Sequence, residues 1–173
     1  MASTLKVNNI VGATTPANVF ISGHVIQHKF HAISNETDFS SISVTTYTDL
    51  AGSSFSFTPK QSGSKLLITM INHIYIEQPG GDWGAGVSRL VVDGNNQSHA
   101  GSDGLGYNVG IRDTDGAGGQ TTRLMAYDMQ EHEYTTTGTS AITIKAQGYK
   151  QSGSNFYFNK YGRGSIKVLE ISQ

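Results

Sequence analysis

Three histidines, His24, His28 and His31, fall close together in the chain, and such a density of imidazoles is the raw material of a metal site. On a helix they would share a face and close around one ion. Their surroundings, HVIQHKFHAI, carry the β-branched and aromatic residues of a strand instead. In a strand His24 and His28 stand about 13 Å apart on one face while His31 points away, which cannot close a tetrahedral site. The same alternation groups Ile26, His28 and Phe30. Beside a symmetry axis such a face meets copies of itself, so these three form the candidate threefold interface, with three His28 imidazoles at the axis. The alternative is a histidine that faces solvent or is satisfied locally.

Carboxylates come next. Glu131 and Glu133 flank His132, and a strand sets them about 6.6 Å apart on one face, a separation that glycosidases use. Neighbours at i and i+2 cannot flank a sugar from opposite sides, so the pair reads as a solvated strand face. Asp113-x-Asp115-Gly116 has the core of a calcium loop, but its first and twelfth positions fall on Ile111 and Thr122. That leaves only an irregular site assembled with Asp103. No Ser lies in G-x-S-x-G, and Cys is absent. Gly63-Ser64-Lys65 lacks the upstream glycine of a phosphate loop, and Gly104-Leu105-Gly106 meets Val109 where a third glycine belongs. The expectation is a protein with no catalytic residue, no metal and no cofactor.

Elements that position these residues have a period of two. Ser54–Thr58 alternates strictly and puts Phe55 and Phe57 on one face. Residues 139–147 place Ile142, Ile144 and Ala146 together, and residues 165–172 place Ile166, Val168 and Glu170 together. Turn signals separate the runs: Leu50–Ser53, Pro59–Ser64, Pro79–Asp82, Asp93–Asn96, Thr137-Gly138 and Gln151–Ser154. About nine strands at such intervals predict an all-β fold, an antiparallel jelly-roll-like β-sandwich. Lys-Gln-Ser-Gly-Ser occurs at 60–64 and again at 150–154, which reads as one turn chemistry used twice.

Composition agrees. Of 173 residues 21 are Gly, and only 14% are charged, against a usual charged share of about 25%. That excludes a disordered polyelectrolyte and a charged helical bundle. A net charge of -1 with scattered Lys and Arg gives no pull towards nucleic acid or an anionic membrane. Met1–Asn9 has one Lys and no apolar run, so no secretory leader is expected.

Two segments stand apart. Residues 1–22 are small and polar and read as an extended N-terminal arm before a domain at 23–173, with Leu5, Val7 and Ile10 as its candidate docking residues. Residues 100–120 are the richest in glycine and read as a long loop. That loop and the Trp83 turn, within PGGDWGAG, supply the candidate partner- or receptor-contacting residues Trp83, Asp103, Tyr107, Arg112, Asp113 and Asp115. Exposed aromatics of this kind fill subunit interfaces or stack on sugar rings.

Several stretches resemble small tail-fibre-like virion proteins of tailed bacteriophages, those of marine and cyanobacterial phages in particular. The opening Ser3-Thr4-Leu5-Lys6-Val7-Asn8-Asn9-Ile10 is similar to their start, and Thr45–Lys65 followed by Leu66-Leu67-Ile68 to their recurring "T-D-L … T-P … S-K-L-L-I" pattern. Arg89–Gly94 looks like a common central strand, and Gly164–Ile171 like their closing strand. The resemblance implies a homotrimeric jelly-roll domain, like the tumour-necrosis-factor-like fold, joined by its arm to other virion proteins. It implies a non-enzymatic virion component made in the host cytoplasm: a tail- or head-associated fibre or knob that contacts the host surface and its glycans. The alternatives are a capsid decoration protein and a stand-alone carbohydrate-binding module. Those fibres carry a stalk between arm and head, and here the arm leads straight into strands.

Overall fold

The computed structural model describes residues 21–38, 46–79, 83–97, 109–112, 121–152 and 155–173. Twelve strands occur among them: β1 (Val25–Ile33), β2 (Thr37–Asp38), β3 (Thr48–Asp49), β4 (Phe55–Phe57), β5 (Lys65–Pro79), β6 (Trp83–Val92), β7 (Asn95–Gln97), β8 (Val109–Arg112), β9 (Thr121–Thr135), β10 (Ile142–Ser152), β11 (Asn155–Phe158) and β12 (Gly164–Ile171). All pairings are antiparallel and build two sheets. In the first sheet β5 is central. β9 runs along one edge for the full length of β5, and β12 then β11 share the other, with β1 outside β12 and β2 outside β11. In the second sheet β10 lies between β6 and the short β3 and β4, and β7 and β8 pair the far edge of β6. From β4 onward the long strands alternate between sheets, which is the jelly-roll winding.

Alternation determines what fills the gap between the sheets. Leu66, Ile68, Met70, Ile74 and Ile76 point inward from β5 and meet Ile166 and Val168 of β12, Phe156 and Phe158 of β11, Leu90 and Val92 of β6, and Ile144 and Ala146 of β10. Each such side chain contributes about 1.5–3 kcal/mol through loss of apolar surface to water. The Ile142–Ile144–Ala146 and Ile166–Val168–Glu170 faces expected from the sequence are the inward faces, as is that of Phe57.

Four features differ from the sequence reading. Trp83 is not in a turn: Trp83–Gly86 is the first part of β6, paired with β8 and, from Ala85 on, with β10. Gly86 looks like a turn residue but serves close packing, because a Cβ there would lie 1.9 Å from Cζ of Phe156. Gly148 does the same within β10, where a Cβ would sit 2.5 Å from the Phe158 ring. β8 forms inside the expected loop 100–120, where Val109 and Ile111 supply β-branched residues. The second Lys-Gln-Ser-Gly-Ser copy begins inside β10, with Lys150 and Ser152 in ladder with β6, so the two copies are not the same turn. Finally, β1 carries a bulge between Val25 and Gln27. Val25, opposite Ile171, therefore continues the His28–Phe30 face, and Ile26 stands at the irregular step. Leu5, Val7 and Ile10 of the arm lie outside the described residues.

The first Lys-Gln-Ser-Gly-Ser copy is a true turn, hung on a buried carboxylate. Glu170 is 0% exposed. It accepts the Lys60 N–H at 2.9 and 3.0 Å, the Gln61 N–H at 3.1 Å and the Ser64 hydroxyl at 2.7 Å. Gly63, with φ of 77°, closes the turn before β5. Glu170→Ala removes the acceptor from donors that burial keeps from water. The expected outcome is a loss of about 2–4 kcal/mol in urea unfolding at neutral pH. A change below half a kilocalorie would show that water replaces the carboxylate.

Candidate interaction face

The outward side of the first sheet carries most of the chemistry-bearing residues among those described. Cross-strand register sets its layout. From β5 outward point Lys65, Leu67, Thr69, Ile71, His73, Tyr75 and Glu77, and their β9 partners are Thr135, Glu133, Glu131, Met129, Tyr127, Met125 and Arg123. On the other side Leu169 and Lys167 of β12 lie beside Leu67 and Thr69, and His28 and Phe30 of β1 lie beside Leu169 and Lys167.

One half of this face is aromatic and apolar. Met125, Tyr127 and Met129 are 60–65% exposed, and Phe30 is 60% exposed at the opposite edge. Such large apolar side chains lose several kilocalories in water that a covered surface would recover. Below them His73 and Tyr75 are buried. Tyr127 meets the His73 ring edge-on at 5.2 Å, and Tyr161 meets Tyr75 edge-on at 4.9 Å. Lys160 stands 3.4 Å from the Tyr157 ring centroid, in cation–π contact. At the far end Arg123 donates two hydrogen bonds to Glu77, at 3.0 and 2.9 Å, which hold that carboxyl below its ordinary range.

The other half is charged. Lys65 and Glu133 pair at 2.9 Å. A depression of about 390 Å³ is lined by Leu67, Thr69, Glu131, Glu133, Lys167 and Leu169, among others. Glu131 and Glu133 project to the same side of one strand, as their spacing predicts, and Glu133 is neutralised by Lys65. This places them as neighbours along a wall and not as opposed carboxylates across a cleft.

The histidine cluster separates as strand geometry requires. His28 faces outward, and His31 turns inward, where it stacks on Phe55 at 4.6 Å and its Nε2–H donates to the Gly52 carbonyl at 2.8 Å. Among the described residues no group of three His, Cys, Asp or Glu is placed to hold a metal. Of the expected contact residues, Trp83 and Arg112 become direct cross-strand partners on β6 and β8. Asp103, Tyr107, Asp113 and Asp115 lie outside the described residues.

Two arrangements escaped the sequence reading. Inside the sandwich Asn72 of β5, Ser88 of β6, and Asp128 and Gln130 of β9 form a polar bridge between the sheets. Asn72 donates to Ser88 Oγ at 3.1 Å, the Ser88 hydroxyl donates to Asp128, and Gln130 donates to the Ser88 carbonyl at 2.8 Å. The signal was Asn72, a polar residue at an inward position of an apolar alternation. On the outer side of the second sheet Arg89 stacks 3.7 Å from the Tyr47 ring centroid and donates to Gln147 at 2.8 and 2.6 Å. No sequence pattern pairs these residues, because the ladder and the chain before β3 bring them together.

His73 gives the face a measurable property. Its backbone is held by Asn159, which accepts from the His73 N–H at 3.0 Å and donates to its carbonyl at 2.7 Å. A Cβ on Gly162 would lie 2.7 Å from the ring, so the chain after β11 lies directly across it. Among the described residues Nδ1 has no hydrogen-bond partner, and burial holds the imidazole below its ordinary range. The folded state thus favours neutral His73. This contribution is intact above about pH 6.5 and is lost as pH falls through the ordinary imidazole range towards the lowered folded value. His73→Leu should therefore flatten the acid-side decline in thermal stability between about pH 6.5 and 5. An unchanged slope would assign the decline to other groups.

No protein-family model and no curated protein matches this sequence. Among solved structures the chain is similar to dimeric latent PorU from Porphyromonas gingivalis, with a TM-score of 0.41 and 13% identity. The match covers 94% of this chain and 14% of that one, so the chain spans about a seventh of that protein's length.

Proposed function

We propose that this chain is a non-enzymatic assembly protein, a virion component that works as a homotrimer and presents its jelly-roll domain from the particle as a short fibre or knob. The observation that carries this reading is the concentration of exposed large apolar side chains, Val25, Phe30, Met125, Tyr127 and Met129, on the outward face of one sheet. Scattered apolar residues are ordinary on a surface, but three in a row along β9 and two more on β1 of the same sheet face are more than scatter, as on a subunit interface before it is covered. The candidate threefold residues His28 and Phe30 lie on that same face, and the bulge adds Val25 beside them. Resemblance of the opening, the central strands and the closing strand to phage virion proteins supplies the biological setting. A fibre, a knob and a capsid decoration protein all need the same self-association, and particle labelling distinguishes them by position.

Light scattering of the purified chain should give a native mass near three times 18.5 kDa. The double variant Tyr127→Ser/Met129→Ser should shift that mass towards one subunit, since it removes two of the most exposed large apolar side chains of the face. A wild-type monomer at every concentration would remove the assembly reading and turn attention to glycan binding. The arm makes a separate prediction. Deleting residues 1–22 should abolish incorporation into particles while leaving the melting temperature of the domain unchanged, and incorporation at the normal level would remove its docking role.

A further inference from the structure

Cross-strand rows on the outward face of the first sheet run from base to acid. One row reads His28, Leu169, Leu67, Glu133 from β1 through β12 and β5 to β9. The next reads Phe30, Lys167, Thr69, Glu131. Glu133 is matched within the subunit by Lys65. Lys167 and Glu131 are both exposed, and neither has an ion-pair partner among the described residues. Their backbones stand two strand spacings apart, about 10 Å, on opposite sides of the depression that Leu67 and Leu169 help to line.

This polarity distinguishes the ways in which a second copy can cover the face. A symmetry axis across the strands lays β1 on β1 and β9 on β9, which apposes the Glu131–Glu133 edge to itself. An axis along the strands lays the β1–β12 edge of one copy on the β9 edge of the next. We infer that copies of this chain associate in the second way, with Lys167 of one copy paired to Glu131 of the next and Phe30 entering the depression between them. The inference rests on the reading of this face as a self-association surface and specifies its register. Opposite charge across the contact sets orientation, because apposed like charges are strongly disfavoured once water is excluded. The β1 edge differs in chemistry from the β9 edge, so a contact between them is free to repeat around the axis until the ring closes.

Charge exchange tests it. Lys167→Glu and Glu131→Lys, each alone, should weaken self-association by about tenfold or more in sedimentation over a concentration series, and the double variant should recover most of the loss. Both positions are exposed in the single subunit, so the three variants should keep the far-UV circular dichroism spectrum of the wild type. Disulfide trapping gives a second readout, since the natural chain has no cysteine. Within one subunit positions 131 and 167 are beyond disulfide reach, so a bond in the Glu131→Cys/Lys167→Cys chain joins two copies. That chain should form covalent oligomers, while either cysteine alone should not. A double charge variant as weak as the two singles combined, or cross-linking by a single-cysteine chain, would overturn the inference while leaving self-association in place. A monomeric wild type would overturn both.

Discussion

Because β5 is hydrogen-bonded along both edges, its alternation decides which residues enter the core and which form the surface. Its fifteen residues pair with β9 throughout, and with β12 and β11 in succession on the other side. A slip of one residue would turn Leu66, Ile68, Met70, Ile74 and Ile76 out to water and bring Lys65, Thr69 and Glu77 between the sheets. That penalty, summed over the inward apolar side chains, holds the register of four strands at once. The outward face is then a consequence: whatever occupies the other phase of β5 and β9 must stand there, in rows set by the same ladder.

Polar groups inside the sandwich reinforce the register where apolar contacts alone would tolerate sliding. Glu170 ties the end of β12 to the turn before β5 through four hydrogen bonds, so β5 and β12 cannot shift independently. The Asn72–Ser88–Asp128–Gln130 bridge links β5, β6 and β9 across the interior. Hydrogen bonds have direction, and buried ones left unmade are costly, so these contacts select one alignment of the two sheets from many of similar apolar burial.

In the proposed assembly the outward face would supply two kinds of contact. Its aromatic and methionine half offers area without strong direction, and methionine adapts its shape to what covers it. Its charged half offers direction with little net energy, since ions lose hydration when buried. Together they provide what a repeated contact between copies needs, adhesion from one half and orientation from the other. Within the subunit, Lys160 among the tyrosines and Arg123 on Glu77 stiffen the aromatic half by local pairing.

Much of the architecture was legible in the amino-acid order alone. Period-two alternation in residues 54–58, 139–147 and 165–172 identified strands and grouped the residues of each face, and Asp93-Gly94 marked the β6–β7 hairpin, with φ of 50° and 78° at its two turn residues. Alternation also placed Glu131 with Glu133, and set His28 against His31. These properties depend on neighbours along one strand, and the chain states them directly. Only the tertiary structure could decide the rest. Gly86 reads as a turn residue because nothing nearby in the chain reveals that the Phe156 ring occupies the space of its side chain. Glu170 shares a face with Ile166 and Val168, and its polar side chain is tolerable there only because the distant turn at 60–64 supplies the donors. The outward face itself draws on β1, β5, β9 and β12, strands as far apart in sequence as His28 and Leu169, and only their shared ladder makes it one surface.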